Sequence, residues 1–270
     1  MMRSGHLRRA DCSIYYEIAG SGPALIFAHG LGGNHLSWWQ QAAHFSANYT
    51  CIVFAHRGFP PSGTAPGESA PDAYADDLAA LIGELGLEEV RLVAQSMGGW
   101  TCLEYALREP GRVRALVMAS TSGALDYRQL KGVGAGAIEQ WLRRSDQAMA
   151  ELEARGILAA SGERMRQEQP ALALLYRQIM QLTPIDFRIA VRGKIRKMRN
   201  RAPALLAGLP MPVLFLTGDE DCVFPSAAGP GLAALAPKGR AVCVPDAGHS
   251  VYFERAAEFN RIVSEFLSTA

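Results

Sequence analysis

Ser96 and His249 are the residues of this sequence whose types and settings together permit nucleophilic chemistry. Ser96 stands in Arg91-Leu92-Val93-Ala94-Gln95-Ser96-Met97-Gly98-Gly99, where an apolar run of strand length stops abruptly and a helical pattern begins. A sharp strand-to-helix turn of this kind lifts a hydroxyl above the sheet edge and sets it at a helix N-terminus, where free backbone N–H groups favour negative charge. Gly98 and Gly99 supply the room that a strained, closely packed turn needs. In the pattern G-x-S-x-G the first glycine is here Ala94, which is still small. A serine in such a place also serves as an ordinary helix N-cap.

A serine hydroxyl is a poor nucleophile at neutral pH and needs a base within hydrogen-bond reach. His249 lies in Asp246-Ala247-Gly248-His249-Ser250, after the last apolar run and before a C-terminal helical pattern. That puts it at the sheet edge where Ser96 must be and where open α/β folds bind ligands. Of the other five histidines, His6 and His35 have loop-like surroundings and His44 falls in a polar helical stretch, whereas His29 and His56 also sit at strand ends. The base needs a carboxylate to fix its tautomer and stabilise its protonated form. Asp219, Glu220 and Asp221 all follow the run Leu214-Phe215-Leu216-Thr217-Gly218, and the residues alone do not choose among them. Asp126, beyond the run Val113 to Ala119, is a further candidate.

Acyl transfer also needs donors aimed at the developing oxyanion. His29-Gly30-Leu31-Gly32-Gly33 follows the run Ala24 to Ala28, and its glycines let backbone approach a substrate closely. The amides of Leu31 and Met97 are the expected donors. The loop fails as a dinucleotide site because the third glycine at that spacing is absent.

The elements that must carry these residues follow from periodicity. Nearly continuous apolar runs at Ala24 to Ala28, Cys51 to Ala55, Val90 to Ala94, Val113 to Ala119, Val213 to Leu216 and Ala241 to Val244 read as strands buried on both faces of a parallel sheet. Helical patterns at Ala73 to Leu85, Met97 to Arg108, Ala227 to Leu235 and Val251 to Leu267 alternate with them, and Leu78, Leu81, Ile82 and Leu85 form one apolar stripe. The result is a doubly wound α/β fold. His6 to Arg9 and Ser13 to Ile18 predict a preceding hairpin, and Phe59 to Pro71 a surface loop. Between Ser120 and Pro210 the alternation stops in favour of helix-forming sequence broken by glycines such as Gly132-Val133-Gly134-Ala135-Gly136. Residues 1–119 and 211–270 are thus expected to form the core and 120–210 an inserted helical lid.

Composition narrows the partners. A net charge of +1, with 49% hydrophobic and 20% charged residues, describes an ordinary globular chain and points away from nucleic acid and membrane. Met1 to Ala10 carries Arg3, Arg8 and Arg9 without an apolar stretch behind them, so a soluble, cytoplasmic protein is expected. Five scattered cysteines lack metal-type spacing and read as reduced, mostly buried thiols. No cofactor or metal is expected, and the oligomeric state is not legible. Residues 126–201 hold 15 Lys or Arg against 8 Asp or Glu. Within them Val191, Ile195 and Met198 trace an apolar stripe through basic Arg188 to Arg201, which reads as a solvated basic face or as an attractor for an anionic small-molecule substrate. Trp38, Trp39, Trp100 and Trp141, with Leu175, Tyr176, Ile179 and Met180, are candidates to line an apolar acyl pocket.

Taken in order, His29-Gly30, Arg57-Gly58 before Ser62, the turn at Ser96, Gly218 with Asp221, and Gly248-His249 resemble the α/β-hydrolase superfamily, particularly its esterase, lactonase and carbon–carbon hydrolase branches. The resemblance covers nearly the whole chain outside Ser120 to Pro210. It implies a mostly parallel central sheet flanked by helices, and it implies Asp221 as the acid, three residues after Gly218, with Asp219 in reserve. His56 departs from the aspartate that relatives commonly carry before Arg-Gly, and Phe59-Pro60-Pro61-Ser62 is also unusual. A serine at the turn separates the chain from the haloalkane dehalogenases and epoxide hydrolases of this fold, which carry aspartate there. The implied activity is hydrolysis of a carboxylic ester or lactone through an acyl-enzyme. Carbon–carbon hydrolysis of a vinylogous diketone ranks lower, because His29 to Asn34 lacks the Ser-Gly-Pro-Gly sequence of those relatives. A ligand receptor that keeps the triad but turns over slowly is the alternative from another class.

Overall fold

Residues alternate across a strand, so an apolar run that faces helices on both sides must feed two cores. The computed structural model, which describes residues 2–64, 69–132 and 134–270, shows this arrangement. Ile26 and Ala28 enter one core while Leu25 and Phe27 enter the other, and Leu92 and Ala94 are likewise divided from Val93.

The chain opens with a hairpin of β1 (Arg3–Arg8) and β2 (Cys12–Ala19), closed where the Arg9 amide donates to the Cys12 carbonyl at 2.9 Å. There follow β3 (Ala24–Ala28), α1 (Trp39–Phe45), β4 (Thr50–Phe54), the short β5 (Gly63–Thr64), α2 (Tyr74–Glu84), β6 (Val90–Gln95), α3 (Gly98–Arg108) and β7 (Val113–Ala119). After a helical stretch comprising α4 (Ala135–Ala154), α5 (Gly162–Glu168), α6 (Pro170–Gln181) and α7 (Ile185–Met198), the sheet resumes with β8 (Val213–Gly218). The chain ends with α8 (Ala228–Ala233), β9 (Gly239–Val244), α9 (Val251–Glu254) and α10 (Ala256–Ser268). Strand order is β1-β2-β4-β3-β6-β7-β8-β9, with β5 on β2; β2 runs antiparallel to its neighbours and the other pairs are parallel. From β3 the chain winds outward to β4, and from β6 it winds the other way to β7. The crevice at that reversal, outside the carboxyl ends of β3 and β6, is where open α/β sheets bind ligands.

One core packs Leu78, Leu81 and Ile82 of α2, Leu103 and Ala106 of α3 and Leu232 of α8 against the sheet. The other packs Phe45 of α1 and Phe259, Ile262, Val263 and Phe266 of α10. Full burial of each such side chain contributes roughly 1.5–3 kcal/mol.

Three expectations need correction. Among the described residues β9 is an edge strand paired with β8 alone, and Arg240 and Cys243 are exposed, so it is not buried on both faces. All five cysteines are free, but only Cys51 and Cys102 are fully buried. The C-terminal helical pattern breaks at Arg255, whose backbone (φ −123°, ψ 46°) separates α9 from α10. Of the loop expected over Phe59 to Pro71, residues 65–68 lie outside the described residues, as do Met1 and Val133 of the glycine-rich stretch.

The helical stretch between β7 and β8 departs and returns at one point. Leu125 and Arg201 form a bridge, with the Arg201 amide donating to the Ala124 carbonyl at 3.0 Å and the Asp126 amide to the Arg201 carbonyl at 2.8 Å. No helix among the described residues is long and apolar enough to cross a membrane.

Candidate active site

Ser96 stands at the end of β6 with φ 48°, in the left-handed region that a residue with a side chain rarely adopts. Its amide donates to the Ala119 carbonyl of the neighbouring strand at 3.0 Å, which holds the turn. Close packing is what requires small residues beyond it. A Cβ on Gly98 would stand 2.2 Å from the Ala28 carbonyl oxygen, and one on Gly99 2.4 Å from Thr121 Oγ1. The loop after β3 lies directly alongside, because a Cβ on Gly30 would stand 3.2 Å from Ser96 Cβ. Among the described residues, neither the Leu31 nor the Met97 amide donates to a protein acceptor.

His249 and Asp221 come together as the loops after β9 and β8 meet. His249 Nδ1 and Asp221 Oδ2 are 2.9 Å apart, with both residues buried. Asp221 Oδ1 accepts from the amides of Val223 and Phe224 at 2.7 and 2.8 Å, which fixes the carboxylate. The neighbouring acids are otherwise occupied. Asp219 accepts from the Ala247 amide at 3.3 Å, Glu220 pairs with Arg164, and Asp126 is gripped by Arg128. Of these acids, Asp221 is the one that meets His249. His249 is tied to the turn by Gln95, whose Nε2 donates to the His249 carbonyl at 3.2 Å. Ser96 Oγ itself makes no hydrogen bond among the described residues, as is common for nucleophiles before substrate binds.

The remaining histidines do not compete. His29 and His56 are buried and their rings stand 4.4 Å apart. His29 Nδ1–H donates to the Gly30 carbonyl (2.8 Å) while Nε2 accepts the His56 amide (3.0 Å), so both ring nitrogens are used. Burial holds His29 near pH 3 and keeps His56 well below the usual imidazole range, so both stay neutral. His56 thus fills its unusual place as a neutral ring among Phe54, Phe59 and Tyr74, with Nε2 at 2.8 Å from Thr101 Oγ1. The adjoining Arg57 is anchored by Asp77 through two bonds of 2.6 and 2.7 Å. His35 is buried in a 3₁₀ turn rather than a loop, and exposed His6 lies in β1.

The helical stretch sits on this rim. Trp141 of α4 donates to the Asp221 carbonyl at 2.9 Å, and Tyr176 of α6 lies 3.1 Å from Ser250 Oγ and over Gly32. Phe187, Val191 and Ile195 of α7 pack with Leu31, Met97 and Trp100. The basic face of α7 is solvated, with Arg192, Arg196 and Lys197 exposed. Trp39 is 47% exposed and Trp38 belongs to the core between Phe27 and Tyr252, so neither lines a pocket near Ser96.

Sequence reasoning missed Glu254. Its buried Oε1 accepts from the Gly248 amide at 2.9 Å, bracing the histidine loop from below. An acid closing the apolar run Val251-Tyr252-Phe253 was the available signal.

Comparison with known proteins follows the same lines. Residues 23–256 match the family described as alpha/beta hydrolase fold. A Mycobacterium tuberculosis protein named as a non-heme bromoperoxidase, BpoC, is 28% identical over 95% of this chain and 98% of its own. A 3-oxoadipate enol-lactonase from Acinetobacter baylyi is 32% identical over 46% of this chain and 47% of its own. Among solved structures, a malate-bound esterase from Thermogutta terrifontis superposes with a TM-score of 0.79 at 24% identity, covering 99% of this chain and 98% of that one. Sequence match and sheet architecture agree, and the chain belongs to the α/β-hydrolase family.

Proposed function

We propose that this hydrolase cleaves a small carboxylic ester or lactone through an acyl-enzyme on Ser96, His249 and Asp221. The observation that carries the reading is the 2.9 Å contact between His249 Nδ1 and Asp221 Oδ2, at the rim where Ser96 occupies its strained turn. Ser96 Oγ attacks the substrate carbonyl carbon as its proton passes to His249 Nε2, and Asp221 stabilises the imidazolium. The Leu31 and Met97 amides receive the oxyanion. Collapse expels the alkoxide, which takes the proton from His249; in a lactone the ring opens and stays attached through its acyl end. Water, deprotonated by His249, then releases the acid. The helical stretch over the rim serves as the lid.

Fluorophosphonate labelling with peptide mapping tests this assignment, followed by turnover of a panel of esters, lactones and diketones. Label should appear on Ser96, and Ser96→Ala should abolish it and lower kcat by at least ~10³-fold. Label on another residue, or undiminished turnover by the variant, refutes the assignment. Diketone turnover without ester turnover would favour carbon–carbon hydrolysis, and tight retention of product a receptor.

A further inference from the structure

Arg199, just beyond α7, lays its guanidinium 5.1 Å from the ring centre of Trp100 and 4.9 Å from that of Tyr127. Trp100, in the first turn of α3 and four residues beyond Ser96, lies in the cluster that holds Met97 and Leu31. Arg199 Nη1 reaches the Tyr127 hydroxyl at 3.3 Å, but its Nε and the Trp100 Nε1 are buried donors with no acceptor among the described residues. No described carboxylate comes within 4.0 Å of the guanidinium. Asp126, the acid that faces it, is taken by Arg128 through bonds of 2.6 and 2.9 Å.

A guanidinium withdrawn from water is ordinarily paired with an acid, as Arg57 is with Asp77. Burial disfavours the charged form of Arg199, and Arg128 and Arg196 add to the effect, yet arginine keeps its proton throughout the accessible pH range. Two donors without a described acceptor in one stacked pair, one of them cationic, suit an oxyanion supplied from outside. The exposed cations of α7 are solvated and offer no such fixed geometry.

We propose that Arg199 and Trp100 form a binding site for a carboxylate on the substrate, so that the preferred substrate is an ester or lactone bearing a second, ionised carboxyl group. The proposal rests on Ser96 as nucleophile. Trp100 follows Ser96 by four residues and shares a cluster with Met97 and Leu31, so a short carbon chain joins the carboxylate to the reacting carbonyl.

The test compares kcat/KM for monomethyl half-esters of straight-chain dicarboxylic acids with kcat/KM for their dimethyl diesters, across chain lengths and at fixed ionic strength. The half-ester to diester ratio is the readout. The wild type should favour the half-ester at one short length. Arg199→Met should lower that ratio at least ~10-fold. Arg199→Lys should fall between, as a point charge without the fork, and Trp100→Phe should lower the ratio a few-fold. Should Arg199→Met fail to fold, free dicarboxylates should compete with a neutral ester on the wild type, best at that same length. A ratio of one or less at every length, a ratio untouched by Arg199→Met, or no competition overturns the proposal. If Ser96 is labelled by fluorophosphonate and diesters turn over without half-ester preference, only the carboxylate site is wrong. If neither labelling nor any ester turnover occurs, the nucleophile assignment falls with it.

Discussion

Replacing Glu254 by glutamine should raise stability above neutral pH and change little in acid. The carboxyl is buried beneath the histidine loop, with Oε1 bound to the Gly248 amide. Burial pushes its pKa from 4.5 up to about 7; the charge of Asp221 adds to the rise, while the Gly248 and Ser250 amides and Arg255 oppose it. That rise makes the ionised form less favourable in the fold than in the unfolded chain by about 3 kcal/mol. Between pH 4.5 and about 7 the native protein keeps a proton that the unfolded chain has released. Wild-type stability therefore falls as pH rises through that window, and this contribution is level on either side of it. Glutamine offers a carbonyl oxygen to the same amide and never ionises. The stability advantage of Glu254→Gln over wild type should thus grow by about 2 kcal/mol or more between pH 5 and pH 8, as read by urea unfolding at the two pH values. An offset that stays constant between them would mean that the carboxyl ionises alike in both states, refuting the argument from burial.

Three further outcomes are expected. Asp221→Asn should lower kcat by ~10³- to 10⁴-fold by disturbing the His249 tautomer, whereas Asp219→Asn should stay within tenfold; steady-state kinetics that reverse this order would reassign the acid. Arg57→Met leaves the buried Asp77 with Arg9 at 3.4 Å as its one cation among the described residues, and should cost about 3–5 kcal/mol in urea unfolding; a loss below about 1 kcal/mol would contradict the argument that Asp77 depends on the Arg57 guanidinium. Gly98→Ala sets a Cβ 2.2 Å from backbone and should cost about 1–3 kcal/mol in the same assay, with a parallel fall in fluorophosphonate labelling rate; unchanged labelling would show that the turn relaxes freely.

The parallel strands were legible because burial on both faces leaves nearly unbroken apolar runs, and β3 and β7 begin and end where their runs do. The turn at Ser96 was legible for a related reason: backbone crowding leaves its mark in Gly98 and Gly99. The acid was not. Three carboxylates follow β8, and what separates them is which one meets the amides of Val223 and Phe224, a fact of loop conformation that residue types do not encode. Periodicity carried the C-terminal helix through Arg255, because it registers an apolar face and not the break that lets Glu254 reach Gly248. Trp141 was read as a pocket wall, yet its indole N–H holds the Asp221 carbonyl, a role set by docking of distant segments.

The clasp between Leu125 and Arg201 has an evolutionary consequence. Because entry and exit are fastened side by side, residues 126–200 form an excursion that exerts no pull on the strands, whatever its length. Such a loop can lengthen or shorten without shifting β7 against β8, provided the contacts it makes at the rim, Trp141 to the Asp221 carbonyl among them, are kept.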